Sequence, residues 1–161
     1  MKVKNEIIKV GISSCLIGEP VRFDGGHKRN SFIMNLLSRH FDFVPFCPEI
    51  NIGLGTPRET IRLVDVDGET RAVGSKTMGL DVTDALSDSA DNQLSRQAEL
   101  CGYILKKDSP SCGMERVRLY SNNMPDRKGI GIYAAKLMKN LPHLPVEEEG
   151  RLLNKSVRRE M

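Results

Sequence analysis

Three cysteines hold the positions in this chain best suited to chemistry. Cys15 lies in V-G-I-S-S-C-L-I-G, Cys47 in F-V-P-F-C-P-E and Cys112 in Y-I-L-K-K-D-S-P-S-C-G, each after a run that reads as a strand. If those strands are parallel, all three loops open on the carboxyl edge of one sheet, where open α/β sheets place their sites. Three thiolates meeting at one point suit a metal ion or cluster, and three ligands leave a further coordination position free to react. No C-x-x-C pair is present, which excludes a simple zinc ribbon or a bacterial ferredoxin pattern. The plain alternative is that each thiol is a small buried hydrophobe. For Cys101 that alternative is the expectation, because it ends a predicted helix on the side of Leu94 and Ala98.

Polar residues flank these thiols. Glu49 lies two residues past Cys47, and Pro48 between them fixes the local backbone, so the carboxylate is a candidate acid or base for a water or substrate. Ser109 and Ser111 bracket Pro110 beside Cys112, where hydroxyls can bond to a ligand sulfur or orient a substrate, or serve only the turn. Ser13 and Ser14 before Cys15 carry the same two readings. Asp24, in R-F-D-G-G, is either a turn residue or, with Arg22, part of a pocket wall. Arg58, in G-T-P-R-E, is placed to clamp an anionic or carbonyl oxygen, or is solvated. His27, His40 and His143 form no spaced cluster.

The elements that must position these groups follow from periodicity. Ile7–Ser13 reads as a buried strand, and a Gly-rich loop from Cys15 to Lys28 follows it. Asn30 or Ser31 can cap a helix running to about His40, with Phe32, Ile33, Leu36 and Leu37 at helical spacing. A second strand over Phe41–Pro45 completes a βαβ unit with the expected right-handed crossover. Ile61–Val66 and Thr70–Val73 flank Asp67-Gly68, a hairpin turn. Thr83 is expected to cap one long helix to Cys101, with Leu86, Ala90, Leu94 and Ala98 spaced by four and Gly102 stopping it. Tyr103–Lys106 is a third core strand, Lys107–Pro125 mostly loop, and Ile130–Lys139 a helix. L-P-V near Val146 can add a short strand, and a charged tail from about residue 150 is expected to be mobile. The fold class expected is α/β, a Rossmann-like three-layer domain with a mostly parallel central sheet and its site at the carboxyl edge of the strands.

Length and charge bound the rest. At 161 residues the chain is expected to form one domain over 1–161, large enough to bury a real core. A net charge of +3 permits a nucleic-acid partner without requiring one. No apolar run is long enough for a bilayer. The start, M-K-V-K-N-E-I-I-K-V, carries charges within its apolar stretch and has no small-residue cleavage site, so a cytoplasmic location with reduced thiols is expected.

Four segments in order resemble the thiouracil desulfidase, or TudS-like, family: S-S-C-L-I-G-E-P-V-R-F-D-G-G, F-C-P-E, K-T-M-G-L-D-V-T and L-K-K-D-S-P-S-C-G. The likeness runs from about Lys9 to E-E-E-G-R-L at Glu147–Leu152. The resemblance implies a Rossmann-like domain holding a 4Fe-4S cluster on Cys15, Cys47 and Cys112, with one iron open. It implies Glu49 and Ser109 as catalytic residues and places Ser111 at the site; Ser14, Asp24 and Ser111 are the expected substrate-binding residues. It implies non-redox conversion of a thiolated nucleobase to its oxo form, with release of hydrosulfide. Phe23 stands where the family pattern has Tyr, which removes a hydroxyl at that turn. Some relatives carry a second domain after E-E-E-G-R-L, and the chain reads as the single-domain form. Three alternatives stay open: a thiolated nucleoside or tRNA as substrate, with Arg151, Lys155, Arg158 and Arg159 near phosphates; a non-catalytic iron–sulfur or zinc module or sensor; and a metal-free thiol enzyme.

Overall fold

The computed structural model describes residues 8–35 and 37–153; the rest of the expected basic tail, and Leu36 of the first helix, lie outside the described residues. Strand β1 (Lys9–Ser13) is buried along most of its length, as a run of Val, Ile and small residues at the centre of a sheet must be. A 3₁₀ turn, Ser14–Ile17, then carries Cys15. Helix α1 (Ser31–Asn35) is capped by Asn30, whose Oδ1 accepts from the Ile33 N–H at 3.0 Å. It ends sooner than its spacing predicts, and a separate 3₁₀ turn over Leu37–Arg39 leads to β2 (Asp42–Phe46). β2 pairs in parallel with β1, Lys9 opposite Asp42 and Ser13 opposite Phe46, so the βαβ unit forms.

Strand β5 (Gly102–Leu105) pairs in parallel on the other side of β1, and β8 (Val146–Glu148) pairs in parallel with β5. The resulting sheet has the order β2-β1-β5-β8 with every strand parallel. Its two faces are covered by different elements. Val10, Ile12 and Ile104 pack with Leu16, Ile33 and Leu152, while Tyr103 and Leu105 pack with Ala90, Tyr133, Ala134 and Leu137 from two helices, α3 (Thr83–Asn92) and α5 (Ile132–Asn140). The α/β sandwich of three layers is thus present. Gly11 lets it close: a Cβ there would meet the Tyr103 ring at 2.5 Å.

A second sheet adds a layer, of which only the first hairpin is expected from the sequence. The hairpin β3 (Ile61–Val66) and β4 (Glu69–Gly74) turns through Asp67 and Gly68, both at positive φ (54° and 87°). It continues into β6 (Val117–Ser121) and β7 (Met124–Gly129) in the order β4-β3-β6-β7. The stretch 107–125, expected to be mostly loop, therefore holds β6 and the start of β7. Their turn, Asn122-Asn123 at φ 51° and 64°, is a two-residue hairpin connection of the left-handed kind. Ile61, Leu63, Ala72, Val117 and Leu119 face Val82 and Leu86, so α3 packs on both sheets.

The long helix expected over 83–101 is broken. α3 stops at Asn92, a short α4 (Leu94–Gln97) follows, and Gly102 belongs to β5 rather than to a helix stop. Thr83 is not the cap: its Oγ1 accepts from Ala72 N–H at 2.7 Å, while Asp81 Oδ1 accepts from Thr83 N–H at 3.0 Å. Because the helical register is lost, Leu94 is 38% exposed and Gln97 turns inward in its place. Cys101 is consequently exposed, not a core residue; it sits in the turn that enters β5, its N–H bonded to Lys9 O at 2.8 Å. Among the described residues no helix is long and apolar enough to cross a membrane.

Candidate functional site

β1, β2 and β5 run side by side in one direction, and each delivers a cysteine past its carboxyl end. Cys15 follows β1 in the 3₁₀ turn, Cys47 directly follows β2, and Cys112 lies seven residues past β5. All three thiols line one cavity of about 600 Å³, together with Ser14, Glu49, Ser109, Ser111, Arg22, Phe23, Arg58 and Lys106. Asp24 is not brought into that wall: it is exposed, and its Oδ1 accepts from Gly26 N–H at 2.8 Å, which is turn chemistry. Cys101 lies elsewhere, at the amino end of β5.

Glu49 is the centre of a connected polar array. Pro48 starts a short helix, α2 (Pro48–Asn51), with Cys47 at its cap position, and this turn presents Glu49 inward. Arg58 Nε donates to Glu49 Oε1 at 3.0 Å, and the two side chains are only 8% and 12% exposed. Arg58 is itself fixed by donating Nη1 to Gly55 O and Nη2 to Val21 O, both at 2.8 Å. The Ser111 hydroxyl donates to the other carboxylate oxygen, Oε2, at 3.0 Å. Ser109 Oγ stands 3.0 Å from Ser111 Oγ and accepts from the Ser111 and Cys112 N–H groups at 3.2 and 2.9 Å. With its acceptor side so occupied, the Ser109 hydroxyl donates to Ser111, and the hydrogen bonds run in one direction, Ser109 to Ser111 to Glu49.

The thiols are held neutral by their surroundings. Burial pushes Cys15 up to about 11, against the pull of Lys106, and Cys47 adds to the rise. Burial also pushes Cys112 up to about 12, opposed by a hydrogen bond from the Ser13 hydroxyl. Cys47 is raised by burial too, with backbone amides of Ile50 and Glu49 and the Arg58 charge pulling the other way. A nucleophilic cysteine needs the opposite environment, one that favours thiolate. A cation placed among them would supply it, since ligating thiols are deprotonated by the metal they bind. Among the described residues no three Cys, His, Asp or Glu side chains group tightly enough for a single ion. The donor set is instead three soft sulfurs spread over the walls of one cavity, which suits a body of several thiophilic irons better than one hard ion.

Some contacts of this site depend on partners distant in sequence. Ser13 accepts from Lys106 N–H at 3.0 Å and donates toward the Cys112 sulfur, tying β1 to β5 behind the cysteines. The second sheet lines the same cavity through Arg62, Arg118 and Tyr120, with Thr60 just before β3. Arg62 lies over the Tyr120 ring at 4.8 Å, and its Nε is buried with no hydrogen-bond partner among the described residues. Arg118 and Tyr120 come from a hairpin that reads weakly in the sequence, so their approach to the cysteines is not visible there.

Comparison with known proteins agrees with this geometry. The profile of the family described as 2-thiouracil desulfurase matches residues 10–149. The chain is 33% identical to the uncharacterised protein YbbK of Bacillus subtilis (strain 168), over 78% of this chain and 87% of that protein. It is also similar to a solved structure described as the 4Fe-4S-dependent thiouracil desulfidase TudS. The TM-score is 0.71, at 30% identity over 95% of this chain and 98% of that one.

Proposed function

The chain belongs to the 2-thiouracil desulfurase family, and from that premise we propose that it is an iron–sulfur-dependent desulfidase working in the cavity between Cys15, Cys47 and Cys112. The reaction replaces the thiocarbonyl sulfur of a thiolated uracil by oxygen from water: one C=S bond is lost, one C=O bond forms, hydrosulfide and a proton leave, and no electron is transferred. The observation that carries this reading is the meeting of three thiols, Cys15 and Cys112 buried and Cys47 half-buried, with the Arg58-held carboxylate of Glu49 in one pocket.

Cys15, Cys47 and Cys112 would hold a 4Fe-4S cluster, the cofactor that the TudS structure is described as needing. When bound, such a cluster with three protein ligands supplies an iron with an open, sulfur-seeking position that polarises a thiocarbonyl. The protein's own part is proton handling and placement. Glu49 Oε2 takes a proton from the attacking water and later returns one to the departing sulfur, which leaves as hydrosulfide. Arg58 on Oε1 keeps the carboxylate in one rotamer, so that Oε2 is the working oxygen. Ser111 and Ser109 relay or stabilise the proton at Oε2, and Ser14 lines the substrate's approach beside Cys15. Asp24 contributes only the turn that closes the Arg22–Gly26 loop. The substrate is a small thiolated nucleobase. The cavity of about 600 Å³ also has room for a nucleoside.

The test is to incubate the anaerobically reconstituted chain with 2-thiouracil and 4-thiouracil and follow the loss of thiocarbonyl absorbance and the hydrosulfide released. Uracil and hydrosulfide in equal amounts, without added reductant, are expected. A loaded enzyme that releases no hydrosulfide from either base refutes the activity.

A further inference from the structure

Two adjacent acids at the end of β8 take no part in the chemistry above, yet both are buried: Glu148 is 7% exposed and Glu149 8%. They reach opposite ends of one loop. Glu149 Oε1 accepts from Lys107 N–H at 2.9 Å, and its Oε2 pairs with Lys106 Nζ at 3.2 Å. Glu148 Oε2 accepts from Met114 N–H at 2.8 Å, and its carboxylate also accepts from Glu115 N–H. Between these anchor points, residues 108–113, lie Ser109, Ser111 and Cys112. Lys106 also faces Cys15 and donates to Lys107 O at 2.8 Å, so the Glu149 end joins the first cysteine to the same brace.

We infer that Glu148 and Glu149 are positioning residues that clamp the Cys112 loop at its two ends and so set the distance of Cys112 and the Ser109–Ser111 pair from Glu49. The loop is also held by side chains, Ser111 bonded to Glu49 and Asp108 accepting from Arg127 Nη1 at 3.0 Å, and by backbone bonds from α5. Its carbonyls at Pro110, Ser111 and Gly113 accept from Ile132, Ala134 and Gly131 at the start of α5 at 3.0, 3.0 and 2.7 Å. Those bonds press its middle, and the two acids hold its flanks. Backbone N–H groups bonded to a buried carboxylate form charge-assisted bonds, stronger than neutral ones, and losing the acceptor leaves a donor without a partner. A neutral amide in place of the acid still accepts from the same N–H, so the conservative variant separates positioning from charge.

This inference rests on the proposed roles of Cys112 and the serines, and its test is chosen to fail separately from them. In the cluster-free chain, the rate of Cys112 alkylation is read by peptide mass spectrometry, with exposed Cys101 as the internal control. Glu148→Ala is expected to speed Cys112 labelling by at least ~10-fold with Cys101 unchanged, while Glu148→Gln stays within about threefold of the parent chain. In the reconstituted enzyme, Glu148→Ala is expected to lose iron to a chelator at least ~10-fold faster and to lower kcat more than it raises KM, with Glu148→Gln rescuing both. Cys112 labelling unchanged in Glu148→Ala, or Glu148→Gln as fast as Glu148→Ala, overturns the clamp. If Glu148→Ala does not fold, the decision passes to Glu148→Gln and Glu149→Gln, where a rise of ~10-fold in Cys112 labelling in either overturns it. A parent chain that takes up no iron contradicts the proposed function and leaves the labelling test of the clamp intact.

Discussion

Ser111 donates its hydroxyl to Glu49 Oε2 at 3.0 Å across 62 positions of sequence, and the same serine lies next to Cys112, its Oγ 3.8 Å from that sulfur. One residue therefore connects the carboxylate that would handle protons with a cysteine that would hold the cluster. The Arg58 guanidinium occupies the other oxygen of Glu49, so the carboxylate has a bound side and a working side.

Glu49→Gln removes the base and keeps the shape of the side chain. The variant is expected to bind the parent amount of iron with an unchanged visible spectrum, while turnover falls by about 10²–10⁴-fold. Loss of iron together with activity would assign Glu49 to holding the site rather than to catalysis.

Arg58→Lys keeps a positive charge and loses the planar fork that bonds at once to Glu49, Gly55 O and Val21 O. Turnover is expected to drop about 10-fold, mostly in kcat, with iron content unchanged. An unaltered kcat would show that the orientation of Glu49 does not depend on this contact.

Gly131 opens the turn into α5, and a Cβ there would meet the backbone of Ser111 at 2.6 Å and the Cys112 N at 2.8 Å. Backbone cannot swing aside as a side chain can. Gly131→Ala is therefore expected to shift the Cys112 loop and to destabilise by about 1–3 kcal/mol in urea unfolding, with lower iron uptake. Gly53→Ala, a substitution into open space, separates crowding from φ strain, because Gly53 lies at φ 91° and Gly131 does not. Equal losses in the two variants would count against crowding as the cause.

The acid side of the stability profile reports on Glu59, which lies next to Arg58 in sequence. A hydrogen bond from the Thr77 hydroxyl, followed by the Thr77 and Lys76 N–H groups, holds its carboxyl below the usual range. Because the folded value lies below the unfolded one, the contribution is present above the unfolded value and is lost as pH falls through the folded one. Glu59→Gln is expected to lower thermal stability at neutral pH and to flatten its decline in that acid window. Parallel pH profiles for the two proteins would show that the carboxylate contributes nothing.

Much of the site was legible because the cues were local. Each cysteine follows an apolar run of strand length, and a parallel sheet converts that into one shared edge. What was not legible depends on partners distant in sequence. Leu94 and Ala98 have the spacing of a buried helical face, but α3 ends at Asn92 and the inward position goes to Gln97, whose amide donates to the Tyr133 hydroxyl at 2.7 Å. No periodicity of apolar residues reveals a buried amide that donates to a tyrosine on another helix, and the exposed position of Cys101 follows from that break. β7 is an edge strand with an almost wholly exposed sequence, Met-Pro-Asp-Arg-Lys-Gly, so it lacks the alternation that marks a half-buried strand; Asn122-Asn123 was its one usable turn signal. Glu148 and Glu149 sit in a run of three glutamates that reads as solvated charge, and only the loop folded over them makes them interior.

The central claim is that Cys15, Cys47 and Cys112 together, without Cys101, hold the cluster. Counting iron and acid-labile sulfide per chain after anaerobic reconstitution tests it most directly, on the parent chain, Cys112→Ser and Cys101→Ser side by side. The account expects about four irons and four sulfides in the parent and in Cys101→Ser, and loss of most of both in Cys112→Ser. A parent chain that takes up no iron, or a Cys112→Ser variant with the full complement, would contradict it.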